Sequence, residues 1–201
     1  MKFIHLIPLI VLSLCTLACS PVNNPILNQY KISEFSTKRY SGKPSRHSIL
    51  VAAPQAVSGY QTAQMLYVEK PYELSPFARN AWIDPPANML FPLLFQSLQH
   101  SNYFKAVAST PYAEETNYRL DTQLIELQQN FLKHPSIVQI SIKVVLSDLK
   151  RNKVAGSHIF RRQIPCSRDN PFAGVVATNR GVKQLTADIT EYVITLIQKT
   201  A

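Results

Sequence analysis

Val138, Ile140, Ile142, Val144 and Leu146 are apolar, while Gln139, Ser141, Lys143 and Ser147 between them are polar. Side chains on a strand point to opposite faces in turn, so this alternation predicts a strand with one buried and one wet face. A slip of one residue would turn every apolar side chain to water, so the pattern constrains register as well as conformation. Lys150-Arg151-Asn152-Lys153 reads as a polar turn, and residues 154–164 as the return strand of a hairpin. Upstream, residues 118–131 carry Leu120, Leu124, Ile125 and Leu127 and form a further long strand.

Shorter strands precede these. Residues 48–53 are apolar and end at Pro54, residues 65–69 end at Lys70-Pro71, and residues 103–108 are short and aromatic at the start. Tyr30-Lys31-Ile32 has the composition of a brief pairing strand. Two stretches follow the helical period instead. Met89, Leu90, Phe91, Leu93, Leu94 and Leu98 mark a helix over 86–100, with Asp84 placed to cap it and Pro92 expected to kink it. Val182, Leu185, Ile189, Val193, Leu196 and Ile197 mark a long C-terminal helix after Asn170-Pro171. Strands, helix, strands, helix define the expected fold class: α+β, a mostly antiparallel sheet with two helices packed on one face, in a single domain.

The N-terminus carries an address. Lys2 is followed by an apolar run to Leu17, then by Leu17-Ala18-Cys19-Ser20. A charged start, a short apolar stretch and a small residue before the cut describe an export signal, too short for a confident membrane span. Cysteine directly after Ala18 resembles a lipobox, at which bacterial lipoprotein signals are cut and the new N-terminal cysteine is acylated. The alternative is ordinary secretion with Cys19 incidental. Residues 1–18 are therefore expected to be a lipoprotein signal peptide and 19–45, polar and proline-studded, a lipidated N-terminus and flexible tether. Residues 46–201 would be the domain. A free tether of that length has an end-to-end distance of about 25–30 Å. Ser20, rather than Asp, after the cysteine points by resemblance to sorting signals to the inner leaflet of the outer membrane, facing the periplasm.

Composition narrows the function classes. Hydrophobic content of 46% with 16% charged residues suits a folded domain. A formal charge of +9 without any Lys/Arg run longer than two fits contact with anionic lipid or an acidic protein better than nucleic acid, which export also disfavours. Once Cys15 leaves with the signal and Cys19 takes lipid, Cys166 stands alone, which favours a buried structural thiol over an intermolecular bridge.

Catalytic patterns are missing. No Gly-x-Ser-x-Gly or phosphate loop occurs, and five glycines cannot build a nucleotide cradle. His47, His100, His134 and His158 are scattered singly, without metal-ligand spacing. Glu114-Glu115 are neighbours on an expected loop, and Asp121 and Glu126, five apart on one strand, should face opposite ways. A protein that is not an enzyme, without cofactor or metal, is the expectation. The aromatic, arginine-bearing stretch with Tyr60, Tyr67, Tyr72, Phe77, Arg79 and Trp82 is either core packing or an exposed partner-contact surface, since Tyr, Trp and Arg are enriched at interface hot spots.

That stretch carries a resemblance. Ser58-Gly59-Tyr60, Met65-Leu66-Tyr67-Val68, Pro71-Tyr72-Glu73-Leu74, Phe77-Ala78-Arg79-Asn80-Ala81-Trp82 and Pro86-Ala87-Asn88-Met89-Leu90 run in order. Arg119-Leu120-Asp121, Leu127-Gln128-Gln129-Asn130-Phe131 and residues 170–180 continue the series. Together with the lipobox, the set resembles the ABC-type transport auxiliary lipoprotein family, which includes relatives of paraquat-inducible lipoprotein C. The resemblance implies a non-catalytic partner of an ABC permease and ATPase that work with a mammalian-cell-entry-type substrate-binding protein. Such systems move phospholipid or related lipids between inner and outer membranes, and family members can form ring-like homo-oligomers. Only Cys19 transfers as a site with a defined role. A structural envelope lipoprotein bound to peptidoglycan or another assembly is the alternative, because fold does not dictate function.

Overall fold

The computed structural model describes residues 27–110 and 116–200. Nine strands and two α-helices follow in order: β1 Asn28–Tyr30, β2 Ser48–Val51, β3 Gln55–Ala56, β4 Gln64–Val68, β5 Ser75–Trp82, α1 Pro86–His100, β6 Ala106–Ser109, β7 Tyr118–Asn130, β8 Ile137–Asp148, β9 Lys153–Pro165 and α2 Pro171–Thr200. A 3-10 turn, Ser58–Tyr60, sits between β3 and β4.

β7 organises the sheet. Along one edge it pairs antiparallel with β8 from Tyr118↔Asp148 to Asn130↔Ile137, and β8 pairs in turn with β9. Along its other edge it takes three short strands in succession, β2 at 118–120, β3 at Gln123 and Leu124, and β4 at Gln129 and Asn130. Those three pairings are parallel, as are β2 with β6 and β1 with β5. The expected mostly antiparallel sheet is therefore corrected to a mixed one. Parallel neighbours need a crossover of a dozen or more residues, and α1 supplies it by carrying the chain back before β6 and β7.

Both helices cover one face, as expected. The inward side chains Leu120, Leu124, Ile140, Ile142 and Leu146 share one core with Leu90, Leu94 and Leu98 of α1 and Leu185, Ile189, Val193 and Ile197 of α2. Residues 138, 140, 142, 144 and 146 are all buried, as the alternation predicts, but Ser141, expected on the wet face, is buried too, its hydroxyl donating to Glu126. α2 begins where proline permits it: Asn170 Oδ1 accepts the Ala173 N–H at 2.8 Å, ahead of Pro171 in the first turn. Thirty residues make it about 45 Å long.

Two local expectations are corrected. Asp84 does not cap α1: Pro85 holds the cap position without a side-chain bond, while Asp84 Oδ1 accepts from Asn88 Nδ2 at 3.2 Å. α1 extends from Pro86 to His100 with Pro92 inside it at an exposed position.

The second concerns the tether, expected to run loose as far as residue 45. From Leu27 onward it is bound to the domain. β1 lies along β5, and the following strap crosses α2 without regular structure of its own. Asn179 Oδ1 accepts the Ser33 N–H at 2.8 Å, and Thr186 Oγ1 accepts the buried Ser36 N–H at 2.9 Å. Lys38 pairs with Glu191 at 2.9 Å, and the Tyr40 and Ser45 amides donate to Ser101 and Tyr103 carbonyls. Polar composition gave no apolar period to read, yet the Lys31 carbonyl and the Ser33, Glu34 and Ser36 amides all have side-chain partners on α2.

Candidate contact surface

β4 and β5 form a hairpin whose turn, Lys70-Pro71-Tyr72-Glu73, closes with the Glu73 N–H donating to the Lys70 carbonyl at 3.2 Å. Proline second and a positive φ third is the pattern of a type II turn, where glycine is the usual third residue. Here the third residue is Tyr72, at φ 66°, with its ring fully in solvent at 107% relative exposure. A β-carbon in the left-handed region costs about 1–2 kcal/mol. This turn thus holds a strained backbone and presents an aromatic side chain that contributes nothing to the core.

Behind the turn the hairpin is braced by rings. Tyr67 and Phe77 lie 4.5 Å apart between centroids, and Phe131 meets them edge-on at 5.9 and 6.2 Å. Phe131 arrives there because its N–H donates to the Val68 carbonyl at 2.8 Å as β7 ends beside β4. Arg79 is exposed, on a part of β5 that β1 leaves unpaired, since β1 reaches only Asn80 to Trp82.

The six aromatic and arginine residues singled out in the sequence therefore separate. Tyr72 and Arg79 stand exposed at the hairpin. Tyr67 and Phe77 form its half-buried stack. Tyr60 is held away from the turn, its hydroxyl donating to Gln128 Oε1 at 2.7 Å; burial first, then the Glu126 carboxylate, pushes its pKa up to about 12. Trp82 is 4% exposed and belongs to the core. Leu74 and Leu132, both exposed beside the stack, and Phe131 within it were missed. Phe131 could have been found from its place at the end of the long strand, whereas Leu74 and Leu132 carry no periodic signal.

Other candidate groups are each engaged locally. A bulge at Ile125 brings Glu126 onto the face that holds Asp121, against the expectation of opposite faces: their β8 partners, Ser141 and Val145, are four residues apart. The carboxylates are then about 13 Å apart along the strand. Arg119 binds Asp121 at 2.8 Å, and Ser141 donates to Glu126 at 3.0 Å. His134 binds Asp169 at 2.9 Å, while His47, His100 and His158 lie against the rings of Tyr118, Phe35 and Phe160. Cys166 is buried, and burial raises its thiol pKa; Gln129 Nε2 approaches its sulfur at 3.6 Å. Among the described residues no group of three His, Cys, Asp or Glu side chains has metal-binding geometry. Cys19 and Glu114-Glu115 lie outside the described residues.

A mixed sheet backed by two helices, with a strained aromatic hairpin at one end and local ion pairs elsewhere, is the fold in which these residues stand. The chain belongs to the ABC-type transport auxiliary lipoprotein component family, whose model matches residues 30–190. The match begins inside β1, so the family's unit includes the strap. Protein XCC0632 from Xanthomonas campestris, a DUF330 protein, has the same fold: TM-score 0.79 at 18% identity, covering 86% of this chain and 98% of that one. The crystal structure of a second, uncharacterised protein matches at TM-score 0.68 with 15% identity, over 84% of this chain and 99% of that one. No curated protein matches by sequence.

Proposed function

We propose that this chain is an outer-membrane-anchored periplasmic lipoprotein acting as the non-catalytic auxiliary component of an ABC transporter. Its partner would be a mammalian-cell-entry-type substrate-binding protein with its permease and ATPase, moving phospholipid or related lipid between the two membranes. The observation that carries this is the family match over residues 30–190, in a chain that also offers Leu-Ala-Cys-Ser at residues 17–20. In this reading Cys19 is acylated and more than one acyl chain makes the attachment stable. Tyr72 at the exposed tip of the hairpin, with Leu74 beside it and Arg79 farther along β5, touches the transporter's periplasmic protein; aromatic and arginine side chains are the ones that most often dominate such contacts. The strain at Tyr72 supports this, since backbone outliers persist where function requires the side chain.

The test is capture from intact envelopes. A photo-crosslinking residue at Tyr72 should yield a covalent adduct with a mammalian-cell-entry-type protein, and the same residue at Lys150, on the β8–β9 turn, should not. Recovery of peptidoglycan or cell-wall proteins instead would favour the structural alternative, and no adduct at either position would remove the hairpin from the interface.

A further inference from the structure

The chain joins the folded unit at β1, and the surface around that point is apolar. Leu27 is exposed just ahead of β1. Tyr30 packs against Phe172, with centroids 6.0 Å apart, and its carbonyl accepts the Ile83 N–H at 2.8 Å. Ile83 is 62% and Phe172 61% exposed, and Val176, one helical turn beyond Phe172, is exposed as well. A shallow depression of about 450 Å³ continues from them along α2, past Asn179 and Arg180. Charged groups fringe the patch: Lys31 is tied to α2 by Asn179 Nδ2 donating to its carbonyl, and Arg180 lines the depression with the Glu34–Lys183 ion pair, leaving cations in excess.

We propose that this face, built from Leu27, Ile83, Phe172 and Val176, rests on the surface of an anionic bilayer. The proposal builds on Cys19 being acylated. Eight residue steps separate Cys19 from Leu27, so the anchored Cα lies no more than about 29 Å from it. A unit of this length is about 40 Å across. With the strap bound to α2, that reach from Leu27 is too short to bring the far end of the molecule to the membrane. The β8–β9 turn is that far end: Asp148 pairs with Tyr118, about 26 Å along the strands from the level of Gln64, whose partner Ala81 lies beside β1, and about 19 Å across four strand spacings. Leu149 and Val154 are exposed there too, so exposure alone does not choose the face; the point of attachment does. Apolar side chains among lysine and arginine suit the boundary of an anionic leaflet, where cations meet headgroups and the apolar groups enter the acyl region.

The test uses the full chain, purified with its lipid and reconstituted in vesicles of phosphatidylethanolamine and phosphatidylglycerol. A bimane label is placed at Phe172→Cys, Val176→Cys or Lys150→Cys in a Cys166→Ala background, and quenching by brominated acyl chains is measured. Labels at 172 and 176 are expected to be quenched at least twofold more than the label at 150. Hydrogen exchange of the unsubstituted chain in the same vesicles supplies the check free of substitutions, with slower exchange expected in the first turns of α2. The mass of the N-terminal peptide separates the two layers of the argument. Equal quenching with Cys19 acylated overturns the face and leaves the anchor standing, whereas an unmodified Cys19 removes both. Label–label interaction at 172 without lipid quenching would assign the face to a second copy and overturn the proposal.

Discussion

Tyr72 shows how a single residue can spend stability on presentation. The other positive-φ residues, Asn102 and Asn152, are of a type that tolerates the left-handed region, and Tyr72 is not. Tyr72→Gly is therefore expected to raise stability by about 0.5–1 kcal/mol, once the greater freedom of glycine in the unfolded chain is counted. The same change should weaken capture of the transporter partner, so thermal unfolding and crosslinking yield should move in opposite directions. Asp169 offers a second test. Its carboxyl is held below the ordinary range, chiefly by the hydrogen bond with His134 and then by the Ser136 N–H, which donates to Oδ1 at 2.6 Å. A depressed carboxylate pKa adds stability that is present above its unfolded value and lost as pH falls through its folded one. Asp169→Asn should thus lower Tm near neutrality and flatten the acid limb below about pH 4, a difference read from Tm against pH. Neither effect was legible in the sequence. Tyr72 looked like one aromatic among six, and the partners of Asp169 come from 33 to 35 residues away.

At the scale of elements, the close approach of α2 to the sheet is set by small residues. A β-carbon at Gly174 would lie 2.3 Å from Gln129 Oε1. Gln129 cannot swing aside, because its Nε2 donates to Ser136 Oγ at 2.9 Å and to the Asn170 carbonyl at 3.2 Å. Gly174→Ala should therefore destabilise by about 1–3 kcal/mol despite the better helix propensity of alanine. At Gly181 the nearest atom is Ile140 Cδ1, the mobile end of its side chain, at 2.7 Å, so Gly181→Ala should come out near neutral by denaturant midpoint. The strap has its own test. Thr186→Val keeps the shape but strips the acceptor from the buried Ser36 N–H, at an expected cost of about 1–3 kcal/mol. Faster hydrogen exchange confined to residues 31–41 would show that the strap, and not α2, has loosened.

For the whole molecule, Cys19→Ser is expected to release the protein from the membrane fraction while leaving its far-ultraviolet circular dichroism unchanged. The family match begins at residue 30, and the core among the described residues runs from Ile32 to Ile197. The β8–β9 hairpin, the extents of both helices and the burial of residues 138, 140, 142, 144 and 146 were legible because period and turn chemistry are local properties. The mixed character of the sheet was not. β2, β3 and β4 are five residues or fewer and identical in pattern whichever way their neighbours run, so direction depends on where α1 returns the chain.

The amino-acid order by itself determined where the three long strands and both helices lie and which of their faces are apolar. Only the folded chain decided that three short strands line up along one edge of β7, that the polar segment after Leu27 is a strap, and that Tyr72 projects while Trp82 is enclosed. The physical reason is one of range. Alternation and capping act within a few residues, whereas strand direction, strap docking and exposure are settled by groups that meet across 50 to 150 positions of sequence, as Ser36 meets Thr186.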